Sequence, residues 1–245
     1  MPDNALREKW LGTIRDNIKR HGFHIYIVQQ GAYPRFAYTI GLTESHGAEL
    51  VLPGAIFYDV DDLSEILHAF HRKWKGPKGS TKPLVLEGHG SFALHEADRT
   101  WVSRLLRGAR DHYQRDITAF QIVPDDDHRT LDVPDMRVAY SPSSEPVWQC
   151  VEKPWPYEIP EDSTVITNLD ALRGAPITEV CRWEDDYWEA FAGDGTETPE
   201  ADTRVVSPLW LVASDPSLAP MLGLEVEKGI HRSARGAWKP WVRAT

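Results

Sequence analysis

The sequence predicts an α+β protein: mainly antiparallel sheet with flanking helices, followed by a smaller α+β unit at the C-terminal end. Three observations predict it. Short apolar runs bounded by glycine and proline recur at strand length. A stripe of Leu63, Ile66, Leu67, Phe70 and Trp74 has the spacing of an amphipathic helix. The two kinds of segment alternate in mixed order, with no fixed-period repeat. With 245 residues, 41% of them hydrophobic, the chain can bury a substantial core. Texture divides it into residues 1–135, a proline-rich packed connection at 136–162, and a small domain at 163–245.

Taken in order, residues 4–20 read as a helix, because Leu6, Trp10, Ile14 and Ile18 recur every fourth position and Gly22 stands just past the end. Residues 23–30 and 36–42 read as a hairpin around the Gly31–Arg35 turn. A polar loop, Thr43 to Gly47, follows, and then the apolar run Glu49 to Phe57, interrupted at Pro53. Asp59, Asp61 and Asp62 suit the start of the striped helix, which Gly76-Pro77 is expected to end. Pro83 to Glu87, Phe92 to His95 and Ala119 to Val123 are expected strands, with one helix over Asp98 to Tyr113.

In the connection, Val147 to Val151 is an expected strand, and Trp148, Trp155 and Tyr157 imply packing against the fold. Beyond it, Thr164 to Thr167, Ile177 to Trp183 and Tyr187 to Phe191 read as strands. Ser207-Pro208 and Asp215-Pro216 are helix starts, and Ile230 to Val242 closes the chain.

A net charge of −10 without a basic run argues against nucleic acid and fits a small molecule or a basic protein partner. Cys150 and Cys181 make neither a disulfide framework nor a metal motif. No signal pattern or spanning segment is evident, so a cytoplasmic protein away from membrane is expected.

The most specific pattern is Phe36-Ala37-Tyr38-Thr39-Ile40-Gly41-Leu42, with Gly22 before it and Glu49-Leu50 after it. Together with Gln121-Ile122-Val123-Pro124-Asp125, it resembles the DUF4262 family of uncharacterised bacterial proteins, over roughly residues 14–135. Phe23 stands where tryptophan is usual there, and Ala48 where proline is usual. The resemblance implies a domain but no reaction. Thr164 to Asn168, Gly174 to Ile177, Trp188, Phe191 and Gly193 resemble, with altered spacing, small domains of bacterial toxin-immunity proteins.

Thr39, Glu44, His46 and Glu49 gather a hydroxyl, an imidazole and two carboxylates around one strand end, a set suited to acid–base work or ligand binding. Their plain alternative is a β-forming threonine beside solvated loop residues. Gln121 and Asp125 flank a strand end that would complete the same pocket if it met that loop, or else belong to an acidic turn. His89, between Gly88 and Gly90, is either a ligand contact or a turn histidine. His68 and His71 have the spacing of a ligand pair on a helix but lack a second pair, so a surface reading is preferred and no metal is expected. No nucleophile elbow, phosphate loop or dinucleotide fingerprint occurs, and the sequence names no cofactor.

Two functions follow. The first is a protein- or ligand-binding, immunity-like module, whose acidic surface and tryptophan-rich second half (Trp148, Trp155, Trp183, Trp188, Trp210, Trp238, Trp241) engage a basic protein. The second is a small enzyme, or a flavin- or small-ligand-binding domain, with its pocket around Phe36 to Leu42. The charge and the missing catalytic signatures tip the balance to the binder.

Overall fold

The computed structural model describes residues 4–77, 82–233 and 236–241, without the side chains of residues 4 and 5. The chain divides into two compact units. One comprises residues up to 29, 35–129 and 133–140; the other comprises 30–34, 130–132 and 141 onward.

The first unit begins with α1 (Asn4–His21), which Gly22 ends by adopting φ 85° and donating its N–H to Ile18. The expected hairpin follows as β1 (His24–Val28) and β2 (Phe36–Ile40), registered from His24 opposite Ile40 to Val28 opposite Phe36. The expected polar loop is instead a short helix, α2 (Leu42–His46), leading to β3 (Glu49–Pro53). Next comes α3 (Val60–Lys73), where the Asp59 side chain accepts from Asp62 N–H and the Asp62 side chain accepts from Asp59 N–H. It ends at Trp74, before the expected Gly76-Pro77 stop. β4 (Leu84–Leu86) and β5 (Gly90–Glu96) follow as expected.

The single helix expected over 98–113 is two, α4 (Arg99–Leu105) and α5 (Arg107–Tyr113), with Leu106 leaving helical geometry at ψ 42°. The break lets Leu105, Leu106 and Ala109 all be buried. It also places Gly108 against the sheet, where its N–H donates to the Tyr38 hydroxyl at 3.1 Å. A Cβ at Gly108 would lie 2.5 Å from that hydroxyl, so only glycine permits the approach.

β6 (Ala119–Pro124) completes a six-stranded sheet in the order β1-β2-β3-β6-β5-β4, antiparallel except where β3 meets β6. Ala37, Leu50, Leu52, Phe92 and Ile122 from the strands share one core with Leu63, Ile66, Leu67 and Phe70 of α3. Each of those large α3 side chains contributes roughly 1.5–3 kcal/mol by leaving water.

The second unit opens with a 3-10 helix, Pro146–Val151, where a strand was expected. Proline at its first position removes a ladder donor and favours the turn. Trp148 is fully buried there, and its indole N–H donates to Asp132 O at 3.0 Å. There follow β7 (Thr164–Asn168), α6 (Leu169–Leu172), β8 (Glu179–Glu184), β9 (Tyr187–Phe191), β10 (Thr203–Val206), α7 (Pro208–Ser214), β11 (Lys228–Arg232) and β12 (Trp238–Pro240). Ser207 caps α7 by accepting from Leu209 N–H, while Asp215-Pro216 starts a 3-10 helix, Pro216–Gly223. Val242, the expected end of the last segment, lies outside the described residues.

The second sheet also has six strands, ordered β10-β7-β9-β8-β11-β12, with β7 and β9 its parallel pair. Both units are therefore α+β with mainly antiparallel sheet. Among the described residues no helix is long and apolar enough to cross a membrane.

Candidate functional site

Glu49 opens β3 and is completely buried. Its Oε1 accepts from Gly41 N–H at 3.2 Å, Thr43 N–H at 2.8 Å and the Tyr113 hydroxyl at 2.7 Å. Its Oε2 accepts from the Thr39 hydroxyl at 2.6 Å and Leu42 N–H at 3.3 Å. The three backbone donors are those that the start of α2 leaves without helical partners. A buried carboxylate supplied by the next strand therefore turns the expected loop into a helix.

The Thr39 hydroxyl also accepts from Leu50 N–H at 2.8 Å, and the Tyr113 hydroxyl accepts from Gly41 N–H at 2.7 Å. Burial and then the Glu49 charge push the Tyr113 hydroxyl well above its ordinary range, so it stays a donor. Gly41 has φ 121°, and a Cβ there would lie 3.1 Å from Ile18 and from the Phe23 backbone. The family-like motif thus encodes a hydrogen-bond knot around a fully buried, saturated carboxylate.

The other expected residues of that loop stand apart from the knot. Glu44 is exposed and pairs with Arg115 at 2.8 Å. His46 stacks on Trp74, with ring centroids 5.7 Å apart and planes 9° apart, and its Nδ1 meets the Ser45 hydroxyl at 2.7 Å. Gln121 is buried and holds the following segment: its Nε2 donates to Pro134 O at 2.7 Å and its Oε1 accepts from Met136 N–H at 3.1 Å.

Of the two alternatives for Asp125, it does not meet the Thr39–Glu49 loop and belongs to the turn after β6. β6 runs parallel to β3 with Ala119 opposite Glu49. At ~3.3 Å per residue, Asp125 lies roughly 20 Å further along.

At that far end a second cluster forms, from the segment after β3, the turn before β5 and the turn after β6. The Asp125 carboxylate accepts from Ser91 N–H at 2.6 Å and from His128 Nδ1 at 2.5 Å. Burial opposes its charge, but the hydrogen bonds from His128 and Ser91 prevail and hold the carboxyl below its ordinary value. The His128 ring lies parallel to Tyr58, with centroids 6.0 Å apart, and edge-on to Phe57 at 4.8 Å. Its Nε2 has no hydrogen-bond partner among the described residues.

Tyr58 is buried and donates to His89 O at 2.6 Å. Burial, then Asp125 and Asp62, raise its hydroxyl far above the ordinary range, which makes it a fixed donor and not a nucleophile. Both nitrogens of His89 face acceptors, Nδ1 the Glu87 carbonyl at 3.1 Å and Nε2 the Asp62 carboxylate at 3.1 Å. Gly90 has φ 91°, and a Cβ there would lie 2.6 Å from the His128 ring. The Gly88-His89-Gly90 segment therefore makes room for an imidazole of the protein itself.

Of the expected site residues, Thr39 and Glu49 meet at one end of the sheet, and His89 and Asp125 belong to the cluster at the other. Tyr58 and His128 are not among the residues the sequence points to, and Asp62 is expected only as part of a helix start. For His128 the signal was local: a histidine three residues after Asp125, at turn spacing.

Sheet, helices and paired clusters define a mixed α+β domain with a sealed carboxylate at one end and an open imidazole at the other. Residues 17–131 match the family model described as a domain of unknown function, DUF4262, and the chain carries a domain of this family. No curated protein and no solved structure gives a significant match.

Proposed function

We propose that the family domain binds a small polar ligand at the Tyr58–His89–His128 end of its sheet, with His128 exchanging a proton with it. One observation carries this: Asp125 fixes Nδ1 of His128 at 2.5 Å, while Nε2 has no partner among the described residues. An imidazole oriented by a carboxylate on one nitrogen and open on the other is the arrangement of a general acid or base. Phe57 and Tyr58 hold the ring plane, while His89, paired with Glu87 and Asp62, fixes the turn beside it. The domain is thus read as a ligand-binding or enzymatic one, with its site away from Phe36 to Leu42, where Glu49 has no capacity left to spare.

A protein-binding, immunity-like role keeps the support of a net charge of −10. It loses three tryptophan anchors, because Trp148, Trp188 and Trp210 are fully buried. We also place the protein in the reducing cytoplasm, where two cysteines need no disulfide.

The test is a thermal-shift screen of small polar metabolites against the full chain and His128→Gln. The proposal expects a ligand that raises the Tm of the parent and not of the variant, each shift being measured against the same protein without ligand. Hits that stabilise both proteins equally would overturn it. A basic protein captured from lysate in a salt-sensitive manner, and indifferent to His128→Gln, would favour the binder instead.

A further inference from the structure

The second unit contains a cavity of about 280 Å³ between the turn after α6, α7 with the 3-10 helix behind it, and the end of β11. Its walls are mainly apolar, with Leu131, Ile177, Leu211 and Leu218 among them, and Asp215 and Arg232 on its polar side. A cavity of ~150 Å³ already accepts a benzene-sized molecule, so the space suits one ring or a short chain bearing a polar group.

Arg232 is held from one side only. Its Nη2 donates to Asp215 Oδ2 at 2.8 Å and to Ser217 Oγ at 3.0 Å, and its guanidinium carbon lies 4.6 Å from the Trp238 ring centre. Its Nε–H is buried with no acceptor among the described residues. Buried guanidinium donors are normally satisfied, so one left over beside an apolar cavity calls for an acceptor from outside the chain.

We propose that this cavity is a binding site for a small, largely apolar molecule carrying one oxygen acceptor, a carboxylate or a carbonyl, which Arg232 receives. The site lies in the second unit and does not depend on the role assigned to His128. Asp215 takes up part of the arginine's charge and fixes its plane, so the oxygen meets a preset donor. The apolar walls hold the rest of the molecule.

The experiment is a methyl-detected NMR titration of the full chain with phenylacetate, phenylacetamide and toluene, read at Ile177, Leu211 and Leu218. The proposal expects saturable shifts with at least one oxygen-bearing probe. Arg232→Lys, which removes the Nε donor and keeps the charge, should weaken that binding by at least ~10-fold. Ala175→Trp, at an exposed position on the cavity wall, should abolish it with the rest of the spectrum unchanged. A preference for phenylacetate over phenylacetamide would assign a carboxylate ligand, and equal binding a carbonyl. Toluene binding as tightly as either would overturn the proposal, as would no shift with any probe or binding indifferent to both substitutions.

Discussion

Glu49 and Asp125 are carboxylates at opposite ends of the parallel pair β3/β6, and they differ in what is left over. Glu49 takes five donors and has no exposure. Asp125 takes side-chain bonds from Ser91 N–H and from His128, whose other ring nitrogen stays open. Both look like acid–base candidates in a list of residues. A carboxylate saturated by its own fold builds structure, because no lone pair remains for a ligand and desolvating it again would cost too much. A carboxylate that orients a histidine passes its effect outward.

The sharpest way to break this comparison is Glu49→Ala. It would leave the Thr39 and Tyr113 hydroxyls and the N–H groups of Leu42 and Thr43 without their buried acceptor, so urea unfolding should show a loss of at least about 3 kcal/mol. A loss under ~1 kcal/mol would mean that water replaces the carboxylate and that the knot is not sealed.

Two glycines then separate the ends. Gly41→Ala forces a side chain onto φ 121° and within 3.1 Å of the Phe23 backbone, and should cost about 1–3 kcal/mol of global stability. Gly90→Ala also meets positive φ, but its Cβ strikes the His128 ring, so the larger change should be at the imidazole. In NMR spectra the His128 ring signals should move further than those of the α3 core. Equal disturbance of both regions would blur the distinction between a sealed end and an open one.

The smallest expected effect is a pH dependence centred on neither carboxylate. Burial lowers the pKa of His71 below its ordinary 6.5, helped by His46, His68, Arg72 and Lys75. Burial, with Arg72 and His21, also lowers that of His68. Both groups bind protons more weakly folded than unfolded, so their contribution to stability is complete above about pH 6.5 and is lost as pH falls below it towards their folded values. Urea midpoints measured from pH 7.5 to 5.5 should therefore fall, and His71→Gln should flatten the decline. An unchanged slope in that variant would place the acid sensitivity elsewhere, with His24 and His112, also lowered chiefly by burial, as the next candidates.

Local pattern by itself determined the hairpin of β1 and β2, the striped α3 with its aspartate cap, the proline start of α7, and hence the α+β class. Each of these is written within a few residues of itself, as a period, a cap or a turn. What only the tertiary structure decided is whatever one stretch does for a distant one. Glu49 makes a helix of Leu42–His46, and Gly108 meets Tyr38 where the expected long helix breaks. Trp148 is drawn into the core from a 3-10 turn where a strand was expected. Pairing β3 parallel to β6 sends Asp125 away from Thr39, and brings it, with the His128 that its own turn supplies, to Tyr58. Register between strands far apart in the chain depends on the packing of the whole sheet, and no local period carries it. The residue types of the candidate site were therefore visible in the sequence, and its membership was settled by the sheet.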